Sequence, residues 1–261
     1  MLNKIIIVSI LCLPFSTMAN EKQAAAKKTT GFSAGLGVIG STGLYLGEDT
    51  HVTPIPLLSY EGERFFLRGL YGGMSLYKNE LITLNGIVNV NMNRLDVEDL
   101  SESKLAQKNL SRAQLEDRDI SADIGLEAIL KAPYGIVSIQ ALNDIGNASD
   151  AAEFKINYQY FWRLSNQWTL MPNVGLEWLS DDRANYYYGI LESEVAQGVE
   201  KYRPNNVIIP HVSLGASYVF SPKWRTTGAV THKFLPNKVV DSPLVDASST
   251  TNFFMGITYK F

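Results

Sequence analysis

The sequence predicts an all-β fold, a transmembrane antiparallel up-and-down β-barrel of about twelve strands, with ten as the alternative count. Three observations lead to this prediction. Apolar and polar residues alternate from Gly31 onward, long and short connections alternate between the strands, and the last strand ends in an aromatic residue. Period-two alternation is the pattern of strands with two different faces, and unequal connections are typical of bacterial outer-membrane barrels.

The N-terminus has the pattern of a secretory signal peptide over residues 1–19. Lys4 precedes an apolar run over 5–15, and small residues occupy the cleavage position around Ala19. The run is shorter than the roughly 20 residues of a membrane-spanning helix. We therefore expect export and cleavage, followed by a flexible periplasmic lead-in over 20–30 and a single barrel domain over 31–261.

Composition excludes several classes of function. The formal net charge is −3, and removal of Lys4 with the signal peptide makes it −4. Such mild acidity gives no reason to expect a nucleic-acid partner. The single cysteine, Cys12, lies inside the apolar run, so the exported chain would have neither a disulfide nor a thiolate metal site.

Strand faces are most distinct in the second half of the chain. Over 152–163, Phe154, Ile156 and Tyr158 alternate with Glu153, Lys155 and Asn157. Over 119–131 the alternation has one exception, an isoleucine at 129 that falls on the polar face. The predicted strands are 31–40, 52–60, 64–71, 73–78, 80–93, 119–131, 135–145, 152–163, 167–180, 206–220, 223–235 and 250–261.

Connection lengths orient the predicted barrel. Long connections at 94–118, 181–204 and 236–249, and an intermediate one at 146–151, alternate with tight ones at 132–134, 164–166 and 221–222. Bacterial barrels place short turns in the periplasm and long loops outside, and an even number of strands returns both termini to the periplasm. The segment 64–78 could form one strand instead of two, which gives the count of ten.

Aromatic residues support this orientation. Trp162 and Trp168 flank one tight turn, and Phe220 and Trp224 flank another, as expected for a periplasmic girdle at the bilayer interface. The last strand alternates apolar and polar residues up to the terminal Phe261. This pattern resembles the signal that the outer-membrane assembly machinery reads on an unpaired edge.

His211-Val212-Ser213 is the sharpest enzyme-like pattern. A His-x-Ser pair on a strand resembles outer-membrane lipid hydrolases, in which histidine activates serine as the nucleophile. The alternation turns His211 and Ser213 into the lumen, however, and no third residue orients the histidine. Asp181-Asp182 resembles acidic catalytic pairs, although its position beside Arg183 favours a solvated loop.

We therefore predict no catalytic, cofactor-binding or metal-binding residues. His51, His211 and His232 are too scattered for a metal site. The predicted lumen charges have mixed sign, which favours internal ion pairs over a selective pore. They are Asp123, Glu127, Glu153 and Glu177 against Lys131, Lys155, Arg163 and Lys233. The segment 94–118, with leucines at every fifth residue, is interpreted as a mobile charged external loop with one helical turn.

Short motifs along the whole predicted barrel resemble the MltA-interacting protein (OmpV) family. They are Tyr45-Leu46-Gly47, Pro54-Ile55-Pro56, Tyr60, Arg64-Phe65-Phe66, Asn93-Arg94, Tyr186 to Gly189, Tyr202-Arg203-Pro204, Ser242-Pro243 and Tyr259-Lys260-Phe261. The long charged insert at 94–118 departs from the family pattern.

The resemblance implies an outer-membrane location in a Gram-negative bacterium and a non-catalytic scaffold. The implied partners are a lytic transglycosylase and a bifunctional peptidoglycan synthase, together with outer-membrane lipid and, through Phe261, the assembly machinery. A small-solute channel, or a porin-like or adhesin protein, is the alternative. A lipid hydrolase that uses His211 and Ser213 is the third hypothesis.

Overall fold

The computed structural model describes residues 31–146 and 151–261. The predicted signal peptide and lead-in, residues 1–30, lie outside the described residues. Within the described part, twelve antiparallel strands form one sheet that closes on itself. They are β1 (Gly31–Ser41), β2 (His51–Glu61), β3 (Phe65–Arg68), β4 (Tyr71–Lys78), β5 (Ile82–Asn91), β6 (Ser121–Ala132), β7 (Gly135–Asp144), β8 (Ala152–Gln159, continued by Trp162–Arg163), β9 (Trp168–Leu179), β10 (Val207–Val219), β11 (Trp224–Phe234) and β12 (Ser249–Lys260).

Every strand pairs with the strand before and after it in the chain, and β12 closes the ring on β1. The predicted up-and-down barrel of twelve strands is therefore confirmed. The segment 64–78 forms two strands, β3 and β4, because the chain reverses at Gly69, whose φ of 62° suits glycine. The alternative count of ten is wrong.

The two faces of the wall differ as the alternation predicts. On β10, Val212 and Leu214 are 46% and 55% exposed, whereas His211 and Ser213 between them are 1% and 8% exposed. Successive side chains of a strand point to opposite faces, so the apolar set covers the outside and the polar set fills the lumen. The exception at Ile129 is also confirmed, since this residue is buried on the inner face.

Aromatic rings form a chain of contacts at the end of the barrel with the tight turns. Ring centroids lie 4.8 Å apart for Trp168 and Tyr218, 5.0 Å for Trp224 and Tyr259, and 5.5 Å for Phe32 and the terminal Phe261. The backbone N–H of Phe261 also donates to the carbonyl of Phe32 at 3.0 Å. The last residue therefore joins β12 to β1 at the seam of the barrel.

Short helices occur in the external connections: α1 (Glu102–Gln107), α2 (Asp181–Tyr188), α3 (Glu192–Ala196) and α4 (Asn237–Val240), with 3₁₀ turns at Val97–Asp99 and Arg112–Gln114. Among residues 31–146 and 151–261, no helix has the length and apolar character needed to span a bilayer.

Candidate functional site in the lumen and the outer cap

The long external connections fold together over one end of the barrel. We call the segments 42–50, 92–120, 180–206 and 235–248 the outer cap. A hydrophobic core unites them, formed by side chains that include Tyr45, Leu46, Leu95, Leu100, Leu105, Leu110, Leu115, Tyr187, Tyr188, Ile190, Val199, Val239, Leu244 and Val245. The cap is built from segments far apart in the sequence, and its core extends onto β9 and β10 through Leu179, Val207 and Ile209.

The interpretation of 94–118 as a mobile solvated loop is wrong. Its five leucines, at 95, 100, 105, 110 and 115, are between 0% and 8% exposed. A five-residue spacing matches neither a strand nor a long helix. In the structure, α1 and two 3₁₀ turns interrupt the segment and bring each leucine to the same core. The regular spacing was the sequence signal that could have indicated this burial, because five regularly placed leucines need an apolar surface to pack against.

Backbone hydrogen bonds connect the segments of the cap. The N–H of Leu46 donates to the carbonyl of Leu244, and the N–H of Ser101 donates to the carbonyl of Leu46. Lys104 adds an ion pair with Asp246 across two of the segments. This lysine, by its hydrogen bond, holds the pKa of the Asp246 carboxyl below its usual value.

A buried ion pair lies inside the cap. The side chains of Arg118 and Glu194 are both 0% exposed, and their charged atoms are 2.8 Å apart. Arg118 also donates to the carbonyls of Tyr186 and Glu116 at 2.6 Å and 2.5 Å. The second oxygen of Glu194 accepts from the backbone N–H of Glu116 at 2.9 Å. Every charge is thus compensated, which a buried pair requires.

A second buried cation fastens the cap to the barrel wall. Arg183 on α2 is 0% exposed and forms ion pairs with Asp123 on β6 and Glu153 on β8. It donates to Glu153 at 2.6 Å and to the hydroxyl of Ser121 at 3.2 Å. Lys155 compensates the other oxygen of Glu153 at 2.8 Å. This arginine thereby holds α2 against the inner wall on two strands.

The acidic pair before Arg183 behaves as expected for a solvated site. Asp181 and Asp182 are both exposed in the first turn of α2, where negative charge is favourable. The tyrosines that follow turn inward: the Tyr45 hydroxyl donates to the carbonyl of Tyr187 at 3.1 Å. Burial raises the pKa of the Tyr187 phenol, so it remains a neutral donor, here to the carbonyl of Asp119 at 3.1 Å.

Among the predicted lumen charges, Glu177 pairs with Lys233 and Glu153 with Lys155, whereas Arg163 is exposed at the end of β8. Lys233 on β11 contacts both carboxylate oxygens of Glu177 on β9, at 2.7 Å and 3.0 Å. Glu127 accepts hydrogen bonds from Tyr71, Asn85 and Gln140 at 2.5 Å to 2.8 Å. Internal pairing and hydrogen bonding thus occupy much of the polar inner face.

His211 and Ser213 both face the lumen, as the alternation predicts, but each has a different partner. The Nε2 atom of His211 lies 2.9 Å from the Oδ1 atom of Asn157. The hydroxyl of Thr231 donates to the Oγ atom of Ser213 at 3.0 Å. Gly175 makes room for the imidazole, because a Cβ there would lie 2.6 Å from Nε2 of His211. The strand therefore brings the two side chains near each other without aligning them as base and nucleophile.

Within residues 31–146 and 151–261, no three or more His, Cys, Asp or Glu side chains form a cluster that could hold a metal ion.

Comparison with known proteins identifies the family. The family model described as "MltA-interacting protein MipA" matches residues 34–261. The MltA-interacting protein of Escherichia coli is 30% identical over 247 residues, which cover 94% of this chain and 95% of that protein. The outer membrane protein OmpV of Vibrio cholerae is 23% identical and covers 88% of this chain and 86% of its own length.

Among solved structures, the NanC porin matches 87% of this chain and 100% of its own, with 9% identity and a TM-score of 0.47. The family resemblance predicted from the short motifs is confirmed by the family model and these relatives. The chain belongs to the MltA-interacting protein MipA family and is a β-barrel of the outer membrane.

Proposed function

We propose that this protein is a non-catalytic scaffold that binds peptidoglycan-remodelling enzymes at its periplasmic end. The observation that carries the proposal is the outer cap, which covers one end of the barrel with a hydrophobic core. A barrel closed in this way acts through its surfaces more readily than through its lumen. The partners we propose are a lytic transglycosylase, consistent with the name of the Escherichia coli relative, and a bifunctional peptidoglycan synthase.

A channel would have to disrupt the contacts that hold the cap. Arg183 and Arg118 each bind buried carboxylates, and removal of a partner from such a pair costs several kcal/mol. Because of this cost, we rank the small-solute channel second, as the alternative function. Planar-bilayer recordings distinguish the two: we expect no stable open steps, and regular steps with the intact cap would favour the channel.

The periplasmic surface available to partners is small. It includes the turn of Ala132, Pro133 and Tyr134, in which the tyrosine is 76% exposed, and the turn that contains Lys223. Exposed tyrosines are enriched among the residues that dominate binding energy at interfaces. The lead-in predicted over 20–30 would extend this surface.

The test uses the full-length mature protein immobilised in several detergents, with purified lytic transglycosylase from the same organism as the probe. We expect saturable binding that weakens about tenfold or more when Tyr134 is replaced by alanine, as for a central interface tyrosine. Lys201→Ala in the outer cap is the matched control, since Lys201 is an exposed residue at the opposite end. Absence of binding in every detergent would refute the proposal, and unchanged binding of the Tyr134 variant would place the contact away from this turn.

We also propose that the assembly machinery recognises β12 through Phe261, because this strand must present a free edge before it pairs with β1.

A further inference from the structure

The barrel wall is incomplete beside β2. The ladder between β2 and β3 contains only the pairs Ser59–Arg68, Tyr60–Leu67 and Glu61–Phe66, and the N–H of Gly69 then donates to the carbonyl of Leu58 at 2.8 Å. The chain turns back at this point. Along 51–57, β2 pairs with β1 on one side, and no strand of the described residues pairs with its other side. These seven residues form the outer half of β2.

Two prolines lie on this open edge. In an antiparallel strand the N–H and C=O of one residue point to the same side, and successive residues point to opposite sides. Leu58 points toward β3, because its carbonyl accepts from Gly69, and so do the residues two and four positions earlier. Those residues are Pro56 and Pro54. Proline has no N–H, so the open edge has no donor at these two positions and exposes fewer unsatisfied groups to hydrocarbon.

The inner face of β2 beside the open edge is apolar at Ile55 and Leu57, whereas His51 and Thr53 nearer its outer end are polar. Ile55 and Leu57 alternate with the exposed prolines and therefore face inward, next to Phe254 of β12. Leu57 and Phe254 lie flat over glycines: a Cβ on Gly256 would lie 2.4 Å from Leu57 Cδ1 and 3.1 Å from Phe254 Cζ. Leu57 and Phe254 therefore form an apolar surface on the inner side of the open edge.

The other side of the opening is apolar as well. Phe66, Tyr71, Ile87 and Leu142, from β3, β4, β5 and β7, form a separate buried hydrophobic cluster. Apolar side chains thus occur on both sides of the opening and match a hydrocarbon chain, while the charged pair of Glu61 and Arg68 lies beside Phe66. A β-strand of another protein fits poorly, because the prolines remove the donors that strand addition needs. A polar solute is a weaker match, because Ile55, Leu57 and Phe254 offer it no hydrogen bonds and the nearby charges of Glu61 and Arg68 already pair with each other.

We propose that the opening between β2 and the β3–β4 turn is a lateral binding site for the hydrocarbon chain of an outer-leaflet amphiphile. The chain enters from the bilayer past Pro54 and Pro56 and lies against Leu57 and Phe254. Its polar end stays near the outer end of β2, at His51. This site is independent of the periplasmic contacts proposed above.

The test uses the full-length mature protein in lipid nanodiscs and a C16 fatty acid that carries a diazirine on its alkyl chain. After irradiation, peptide mass spectrometry locates the cross-links. We expect saturable labelling of Ile55, Leu57 or Phe254, which excess unlabelled C16 fatty acid reduces. Leu57→Gln should weaken the apparent affinity about tenfold, which corresponds to about 1.4 kcal/mol.

Ile129→Gln is the matched control, because Ile129 is an inward apolar residue on β6 that is not part of the cluster at the opening, and its labelling profile should match that of the unchanged protein. If Leu57→Gln does not assemble, as judged by heat-dependent gel mobility, Ile55→Ser carries the same expectation. Labelling confined to outward residues such as Val52 and Leu58, with equal affinity in the Gln or Ser variant and the control, would overturn the proposal.

Discussion

Replacement of Arg118 by alanine is expected to open the outer cap while the barrel strands remain paired. The side chains of Arg118 and Glu194 are both fully buried, and the guanidinium also satisfies the carbonyls of Tyr186 and Glu116. Alanine leaves the Glu194 carboxylate buried without its cation. Removal of one partner of a buried pair typically costs about 3–5 kcal/mol.

The loss in cap stability can be measured as an increase in the rate of proteolysis. Trypsin cleaves after Lys104 and Lys108 only when the cap opens, because α1 and its flanks pack into the cap core through Leu105. Where opening is fast relative to cleavage, the rate follows the population of the open state. A loss of 3–5 kcal/mol then accelerates cleavage roughly 100-fold to 4000-fold, since about 1.4 kcal/mol is a factor of ten.

The matched control is Glu192→Gln, which removes the exposed ion pairs with Lys201 and Arg203 from the same cap without deleting a cleavage site. Its cleavage rate should stay close to that of the unchanged protein, because exposed pairs contribute little. An acceleration below about tenfold for Arg118→Ala would show that the buried pair does not hold the cap closed. Heat-dependent gel mobility confirms that the barrel itself is intact.

Four further predictions follow from the same structure. Leu105→Ala should lower the stability of the cap by about 2–5 kcal/mol, because Leu105 is fully buried, and the trypsin assay should again report the change. Ser213→Ala should cost about 1 kcal/mol in urea unfolding through its lost hydrogen bond and leave lipid-ester hydrolysis unchanged; a specific loss of hydrolysis would revive the enzyme hypothesis. Deletion of Phe261 should slow assembly, measured as the time course of heat-dependent gel mobility, because its ring and backbone contacts close the seam between β12 and β1. The Asp246 carboxyl has a lowered pKa beside Lys104, so its contribution is present above the unfolded pKa of about 3.9 and is lost as the pH falls through the folded pKa. Hydrogen exchange of α1, corrected for intrinsic rates, should therefore be more protected at pH 6 than at pH 3, and equal protection would contradict the role of this pair.

The outer cap changes the role that is expected for the lumen charges. In an open barrel, Glu177 and Lys233 would be pore-lining groups that act on passing ions. In this structure they pair with each other, while Arg183 of the cap neutralises Asp123 and Glu153. These lumen charges are thus engaged with one another and with the cap, which supports the proposed function at the protein's outer surfaces.

Strand faces, turns and the inward direction of His211 and Ser213 could be predicted from the sequence because they are local properties. A period of two places alternate residues on opposite faces whatever the partner strand is, and a tight turn needs only a few residues. The terminal aromatic strand and the family motifs have the same local character. These patterns were sufficient for the barrel, whereas the choice between ten and twelve strands depended on the reversal at Gly69 in the structure.

Only the tertiary structure decided the cap and the open edge of β2. The leucines of 95–115 share a core with residues more than a hundred positions away, and their burial depends on which loops meet, which local periodicity does not encode. The sequence suggested that Arg183 lies in a solvated loop. Its burial could not be predicted, because its carboxylate partners lie on β6 and β8, far away in the sequence. Likewise, the position of Pro54 and Pro56 on an open edge depends on the early turn at Gly69. That turn ends β3 before it can pair with the outer half of β2.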